Sequence, residues 1–227
     1  MKRFYKAVSA TPDGGIALDG RPVRTPGRAP LIAPTTALAE AIAHEWAEQG
    51  DQIDPRTMRF TGLSNAAIDR VAADPEAFAR GLSVYGESDL LCYRADRPET
   101  LVHRQAEAWD PLLAWAAARY DVAFTVTTGI VHRPQPEATL DRLSAATAAR
   151  DPFALAGLSP LVTISGSLVT ALAVAEEAVA PDQAWSAITV DESWQAERWG
   201  EDALAAQALE ARRVDFIAAA SFLSLLR

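Results

Sequence analysis

The chain has 227 residues, of which 49% are hydrophobic and 22% charged, and its formal net charge is -9. This length and composition allow a sizeable core and exclude a wholly disordered chain. The negative charge and the absence of any run of basic residues argue against nucleic-acid binding, which depends on clustered positive charge. A single cysteine, Cys92, excludes an intramolecular disulfide.

The N-terminal sequence MKRFYKAVSATPDGG has neither of the common targeting signals. It lacks the apolar region of roughly 7–15 residues that defines a signal peptide, and it has too few arginines and serines for a transit peptide. We therefore expect a cytoplasmic bacterial protein, or a mature organellar chain whose presequence was removed. The alanine and arginine bias favours a GC-rich bacterial gene.

Residues 3–33 are predicted to form a small antiparallel sheet of short strands. The segments FYKAV and GIALDG flank the sequence TPDG, in which proline presets one backbone angle and glycine accepts a positive φ. The following segment, DGRPVRTPGRAPLIAP, continues with closely spaced turn residues. Short strands joined by tight turns are typical of this pattern.

A helix is predicted after Pro34, with Thr35 or Thr36 as its N-cap and Gly50 just past its end. Its apolar stripe repeats every four residues and consists of Leu38, Ile42 and Trp46. Further short helices are predicted over residues 61–72 and 75–86. A composition shift near residue 80 predicts two domains, residues 1–80 and 81–227.

The second domain is predicted to be mainly helical. One long helix has a face made of Leu101, Gln105, Trp109, Leu113, Ala116 and Tyr120. The β-branched sequence VAFTVTTGIV then predicts a short strand or hairpin. Further helices are predicted at residues 137–149, 152–163, 166–179, 182–198 and 201–226. The fold class is therefore α+β, with a small β-rich N-terminal domain before a mainly α-helical C-terminal domain.

Residues 152–175 carry no charge and exceed the roughly 20 residues that span a bilayer. They are interrupted, however, by Gly157, Pro160 and Gly166, which act as helix breakers. We therefore expect two short buried helices that separate near Ser165, and no stable insertion into a membrane.

Catalytic and cofactor motifs are mostly missing from the sequence. There is no Gly-Lys pair for a P-loop and no G-x-G-x-x-G after a strand. The segment HEWAE has Glu48 where a zinc-binding helix needs its second histidine, and GLSNA ends in Ala66 where a nucleophile elbow needs glycine. Cys92 follows DLL in an apolar stretch and is expected to be buried. We predict no cofactor and no metal site.

The segment TVDESWQAERWGEDAL, residues 189–204, contains five acids and two tryptophans. On one continuous helix over 182–199, a stripe about 80° wide contains Trp185, Ile188, Glu192, Gln195 and Trp199. Asp191, Trp194 and Arg198 lie further round. Gly200 is predicted to end this helix, and Glu201 and Asp202 suit the first turn of the next one.

A carboxylate within an apolar stripe allows three interpretations, because burying an unpaired charge is costly. Glu192 could be paired with an arginine as a structural residue, or the stripe could turn toward solvent. It could be a general acid or base in a hydrolase. It could also join Asp191, Trp194, Gln195 and Trp199 in a partner-binding surface, because aromatic and charged groups are typical of binding hot spots.

Five stretches form an ordered set along the chain: RFYKAV at 3–8, LDGRPVRTP at 18–26, LAEAIAHEWAEQGDQID at 38–54, SDLLCYRADRPETLVHRQAEAWDPLLAW at 88–115 and DESWQAERWGED at 191–202. Taken together, they resemble the ATP synthase F1 assembly chaperone family, in the branch that attends the alpha subunit. The resemblance implies a β-rich N-terminal domain, a helical C-terminal domain and no catalytic activity.

The resemblance also implies a partner, the free F1 alpha subunit, whose assembly interface such a chaperone would shield. Within the matching stretch, the family's acidic cluster corresponds to Asp191, Glu192, Gln195, Trp199 and Gly200. The family pattern does not distinguish Asp191 from Glu192, whereas the helical stripe favours Glu192. We expect the free protein to be a monomer. A hydrolase that uses Glu192, and an interaction protein with an unrelated partner, are the alternatives.

Overall fold

The computed structural model describes residues 1–200 and 202–227. The chain forms two compact units. The first unit consists of Met1–Phe78, Asp151–Gly157 and Ser221–Arg227, and the second of Ala79–Arg150 and Leu158–Ala220. Each unit therefore draws on segments distant in sequence. The division into domains at residues 1–80 and 81–227 stays a prediction.

The first unit contains a three-stranded antiparallel sheet, which confirms the predicted short strands. Its strands are β1 (Val8–Ala10), β2 (Ile16–Leu18) and β3 (Arg21–Pro22), in that order across the sheet. In the turn between β1 and β2, the Thr11 N–H donates to the Gly15 carbonyl at 2.8 Å. Gly14 has φ +83°, the conformation for which glycine is needed in such a turn.

Helix α1 (Thr36–Ala47) packs on this sheet, and Thr35 is its N-cap, accepting from the Leu38 N–H at 3.2 Å. Leu38 and Ile42 are fully buried as the stripe predicts, while Trp46 is only partly buried. Gly50 lies just past the end of α1, as predicted, but it does not cap the helix. Instead Glu48 ends α1 in a right-handed conformation, and the Gln49 amide donates to the Glu45 carbonyl at 3.0 Å.

The helix predicted over residues 61–72 consists of α2 (Arg59–Ala66) and a π-helical segment (Ala67–Val71), and α3 (Pro75–Ser83) covers most of the range predicted at 75–86. The core of the first unit also receives residues from the end of the chain. The ring of Phe222 is fully buried and lies 6.4 Å from the ring of Phe60. This packing explains why residues 221–227 belong to the first unit.

The second unit is built around the long helix α4 (Glu99–Tyr120), whose predicted apolar face is the buried one. Trp109 on this face is 1% exposed, and its indole N–H donates to the Ala187 carbonyl at 2.6 Å. The predicted strand is also present. It is β5 (Thr127–Thr128), which pairs in parallel with β4 (Tyr93–Arg94).

Six more helices complete the described chain: α5 (Glu137–Ala148), α6 (Pro152–Ser165), α7 (Leu168–Ala175), α8 (Pro181–Ile188), α9 (Val190–Trp199) and α10 (Ala203–Ser224). The uncharged run separates into α6 and α7 as predicted, at Gly166 with φ +66° and at Ser167, the N-cap of α7. Among the described residues, no helix combines the length and apolarity needed to cross a bilayer.

The predicted continuous helix over residues 182–198 was wrong, because it breaks at Thr189 into α8 and α9. Thr189 has φ −111° and ψ 19°, and its hydroxyl donates to the Trp185 carbonyl at 2.8 Å. Such bonding by threonine to the preceding turn competes with regular helix geometry. Trp185 and Ile188 are buried in α8, so the apolar stripe ends there and does not continue into α9.

Candidate functional site

The candidate residues lie on α9, which has one face toward the protein and one toward solvent. Trp194 is 9% exposed, whereas Glu192 and Gln195 are exposed and Trp199 is 70% exposed. The exposed three follow the spacing i, i+3 and i+7, which keeps them on one side of a helix. Glu192 therefore lies on an open face and is not a carboxylate inside a buried stripe.

Asp191 holds α9 to α4. Its carboxylate accepts from the Gln105 side-chain amide at 2.7 Å, and the side-chain oxygen of Gln105 (Oε1) accepts from the Ala95 N–H at 2.8 Å. Gln105 is only 2% exposed, so the chain of bonds is shielded from water. A buried donor left without a partner costs about 1–3 kcal/mol. Asp191 therefore has a structural role, whereas Glu192 lies on the exposed face of α9.

Trp194 supports the exposed Trp199 from beneath. The two rings meet edge to face, with centroids 5.4 Å apart and an interplanar angle of 89°. The Arg198 guanidinium lies 5.4 Å from the centre of the Trp194 ring. Both geometries are favourable for aromatic rings. Trp199 is therefore held in a defined position although most of its surface faces water.

A groove of about 460 Å³ runs between α9 and α10. Glu192, Gln195 and Trp199 form the α9 side, and the α10 side presents small or apolar residues and one arginine, namely Ala205, Ala206, Ala208, Leu209 and Arg212. Leu204, at the start of α10, is 77% exposed. Small side chains let another chain approach closely, and exposed large apolar side chains in one place mark interaction sites.

Charged groups accompany the apolar surface of the groove. The Arg212 guanidinium lies 4.0 Å from the Glu192 carboxylate, and both side chains are close to half exposed. An exposed pair at this distance contributes little to stability, so the Glu192 carboxylate remains available to a partner. Arg212 donates one N–H to the Ile164 carbonyl at 2.9 Å and has further N–H groups to offer. Asp202 also lines the groove, but its carboxylate accepts from the Ala205 N–H at 2.8 Å and caps α10.

The end of α9 and the start of α10 agree in part with the helix boundaries predicted from the sequence. Gly200 ends α9 with φ +87°, as predicted. Asp202 caps α10 from the position before Ala203, so it lies one residue outside the first turn in which it was predicted. The same prediction for Glu201 lies outside the described residues.

The residues on the α10 side of the groove were not predicted from the sequence as part of the site. Ala205, Ala208, Leu209 and Arg212 are spaced as one helix face, which was a detectable signal. That face was indistinguishable from a core-facing stripe, because alanine and leucine suit both. Only the packing leaves it open to solvent.

Other groups with catalytic potential have structural tasks. Glu45 of the HEWAE segment accepts from the N–H groups of Phe60 and Thr61 at 2.6 and 2.8 Å, which caps α2. Burial raises the pKa of the Cys92 thiol to about 12, so it is a poor nucleophile at neutral pH. Within residues 1–200 and 202–227, no three His, Cys, Asp or Glu side chains are grouped to hold a metal ion.

A second charged cluster surrounds Glu176 at the end of α7. Its carboxylate accepts from the Tyr120 hydroxyl at 2.7 Å, from Arg119 at 2.6 Å and from Arg150 at 3.1 Å. Burial alone would raise the pKa of Glu176, but the hydrogen bonds from Tyr120 and Arg119 lower it. The Glu176 carboxylate therefore has three internal donors and stabilises the fold, whereas the buried Nε of Arg150 has no hydrogen-bond partner within the described residues.

Comparisons with known proteins agree on one family. The sequence model described as ATP12 chaperone protein matches residues 2–117. The crystal structure of Atp12 from Paracoccus denitrificans has 42% sequence identity and a TM-score of 0.93, with 100% of this chain and 98% of that chain covered. A structure of an aspartate-to-lysine mutant of that protein matches with the same TM-score of 0.93. A protein from Agrobacterium tumefaciens, assigned as a chaperone, has 39% identity and a TM-score of 0.93, with 100% and 86% covered.

Proposed function

The chain belongs to the ATP12 chaperone family, and from this premise we propose that it binds the free F1 alpha subunit before that subunit enters the F1 ring. The family is a chaperone family, so the chain is a chaperone and not an enzyme. It is also the family of ATP synthase assembly chaperones that the five sequence motifs resemble. The alpha subunit as client, and the cytoplasm as the place of action, are our proposals.

The groove between α9 and α10 supports a client-binding role. It combines an exposed anchor, Trp199 at 70% exposure, with a floor of alanines and a half-exposed charged pair. An unassembled subunit exposes an apolar interface that would otherwise aggregate. A groove of this composition covers such an interface without needing ATP, if the correct assembly partner later displaces the chaperone.

Glu192 and Arg212 would give the contact its specificity. Apolar contacts are tolerant of partners, whereas paired charges disfavour a wrong partner and speed the encounter with the right one. Asp191 and Trp194 would act through α9 itself, since one joins it to α4 and the other lies beneath Trp199. Gln195 lies between Glu192 and Trp199 on the exposed face. The five predicted residues therefore divide into three contact residues and two positioning residues.

The alternatives have less support. A hydrolase would need a second free acid beside Glu192, and the one other carboxylate that we find lining the described groove, Asp202, is engaged in capping α10. An interaction protein with an unrelated partner would use the same groove. Identification of co-purifying proteins from the native cell by mass spectrometry separates that alternative from the proposal.

The first test is co-expression with the alpha subunit of the same organism, followed by pull-down. We expect a complex of the two proteins and a larger soluble fraction of alpha. If alpha neither co-purifies nor becomes more soluble, the proposed client is wrong.

A charge reversal then tests the groove. Glu192→Lys places a cation beside Arg212, and we expect it to weaken retention of alpha by about tenfold or more with an unchanged circular dichroism spectrum. The matched control is Glu40→Lys, the same change at an exposed position of α1. Loss of folding in Glu192→Lys would assign the residue a structural role, and equal retention by both variants would remove it from the contact.

A further inference from the structure

The basic residues of this acidic chain are unevenly distributed. The formal net charge is −9, yet the first 30 residues contain six basic side chains and only two acidic ones. The six are Lys2, Arg3, Lys6, Arg21, Arg24 and Arg28. They form no run in the sequence, because two groups of three are separated by 14 residues without a basic side chain.

The antiparallel sheet brings these two groups together in the first unit. β2 and β3 pair so that Leu18 lies opposite Arg21. The carboxylate of Asp19, between these strands, accepts from the backbone N–H groups of Lys6 and Ala7 at 3.1 and 2.8 Å. The two basic segments therefore share one edge of the sheet, which the linear sequence does not reveal.

At this edge lies a cleft of about 510 Å³. Its apolar surface comes from Tyr5, Leu18, Val23 and Trp46, and its charged surface from Arg21, Arg24 and the acid Asp19. This volume lies within the range of about 300–1,000 Å³ that is usual for ligand sites. Phe4, which also lines the cleft, is 65% exposed. An exposed aromatic side chain beside two arginines is a composition suited to recognition.

The two arginines remain able to bind an external anion. Arg21 is exposed and is attracted by the Asp19 carboxylate, but its side chain makes no hydrogen bond within the described residues. Arg24 donates one Nη to the Arg28 carbonyl at 2.8 Å and has further N–H groups to offer. Hydrogen bonds from the Ala7 and Lys6 backbone lower the pKa of Asp19, and its oxygens are already engaged by these donors. Arg3 is different, since it donates to the Ala47 carbonyl at 3.3 Å and lies 4.7 Å from the centre of the Tyr5 ring.

We propose that this cleft binds an acidic segment of the client protein, with carboxylates on Arg21 and Arg24 and an apolar side chain against Val23 and Trp46. Arginine forms paired hydrogen bonds with carboxylates, which gives the contact direction as well as attraction. A concave site with an apolar floor favours a peptide side chain over a flat lipid surface. The rest of this acidic chain would also repel a large polyanion. The inference rests on the proposed function only in naming the client as the alpha subunit.

The test uses peptides first, so that it does not depend on the alpha subunit. One pool of peptides alternates Asp or Glu with Leu, Val or Phe, and a control pool carries Asn or Gln in place of the acids. Isotope-labelled full-length protein is titrated with each pool and followed by NMR. We expect the acidic pool to shift the Val23 amide and the Trp46 indole signals, and added salt to weaken binding because the contact is electrostatic. The neutral pool should leave both signals unchanged.

The variant is Arg21→Gln with Arg24→Gln, and the matched control is Arg56→Gln with Arg70→Gln, two exposed arginines elsewhere in the first unit. We expect the first pair to weaken peptide binding about tenfold or more and the control pair to leave it unchanged. No shift at the cleft, equal binding of both pools, or shifts caused only by phosphatidylglycerol vesicles or inorganic phosphate would overturn the proposal.

Pull-down with full-length alpha distinguishes the two proposals. If wild-type protein fails to retain alpha, the proposed function fails, whatever the peptides do. If wild-type protein retains alpha and the Arg21→Gln, Arg24→Gln variant retains it equally well, the cleft does not bind the client and only the further inference fails.

Discussion

Two tryptophans of the second unit have opposite surroundings. Trp109 on α4 is 1% exposed and its indole N–H is bonded to the Ala187 carbonyl. Trp199 on α9 is 70% exposed and touches Trp194 along one edge. Burial of large aromatic side chains stabilises folds, so Trp109 has a structural explanation. The exposed Trp199 does not gain that stabilisation, and its position is better explained by an exposed aromatic surface that a partner protein can contact.

Two acids of the same unit differ in the same way. Asp89 is fully buried and accepts from the N–H groups of Leu91 and Val169 at 3.1 and 2.9 Å, the second of which lies at the start of α7. Glu192 is exposed, and among the described residues its carboxylate has only the 4.0 Å contact with Arg212. Residue type alone therefore does not reveal the role of an acid or a tryptophan in this protein. Burial and the number of internal partners do.

The largest expected effect is at the buried tryptophan. Trp109→Ala leaves a cavity in the core and an unpaired Ala187 carbonyl, and we expect a loss of about 3–5 kcal/mol in the free energy of unfolding. Urea unfolding followed by circular dichroism measures it. Trp109→Phe is the control, since it keeps most of the volume and should lose less. A loss under about 1 kcal/mol in Trp109→Ala would mean that the core position is misassigned.

The buried acid should make stability depend on pH. Burial raises the pKa of Asp89 to about 6, above the value of about 4 for an unfolded chain. The folded state then holds the proton more tightly, so the contribution of Asp89 to stability is greatest below about pH 4 and is lost as the pH rises to about 6. The expected loss is about 3 kcal/mol.

Urea unfolding of wild type and Asp89→Asn across this pH range tests the buried acid. The difference between the two slopes isolates Asp89 from other titrating groups, because the asparagine carries no charge at any pH. Parallel slopes, or a rise in wild-type stability relative to the variant, would show that the backbone hydrogen bonds outweigh the burial of the charge.

The smallest expected effect on stability is at the exposed tryptophan. Trp199→Ala should change the free energy of unfolding by no more than about 0.5 kcal/mol, while retention of alpha falls about tenfold or more. Val214→Ala, at an exposed apolar position of α10 outside the groove, is the matched control for binding. If Trp199→Ala instead destabilises the protein as strongly as Trp109→Ala, the contrast between the two tryptophans disappears.

Local patterns were predicted well because their causes are local. The apolar face of α4, the Thr35 cap and the break between α6 and α7 each depend on a few neighbouring residues. The stripe through Glu192 was misjudged because a single hydroxyl bond at Thr189 ends the helix early. Periodicity over residues 182–199 contains no signal for that bond, since threonine also occurs within regular helices.

The candidate site shows the same limit. Glu192, Gln195 and Trp199 could be grouped from spacing alone, and they do share a face of α9. The α10 residues on the other side of the groove could not be predicted, because spacing within one helix does not show which face of a second helix lies beside it. The different roles of Asp191 and Glu192 could not be predicted either. Adjacent residues on a helix point in directions about 100° apart, and only the position of Gln105 decides which of the two is held.

The α+β class, most helix positions and the family could be predicted from the sequence, because they follow from periodicity, turn residues and ordered motifs. Tertiary packing determines which acids and aromatic residues are buried and which face solvent. It also brought Lys6 and the arginines at 21 and 24 to one sheet edge. The physical reason is that solvent exposure and clustering of charge depend on contacts between segments far apart in the chain, which no local pattern contains.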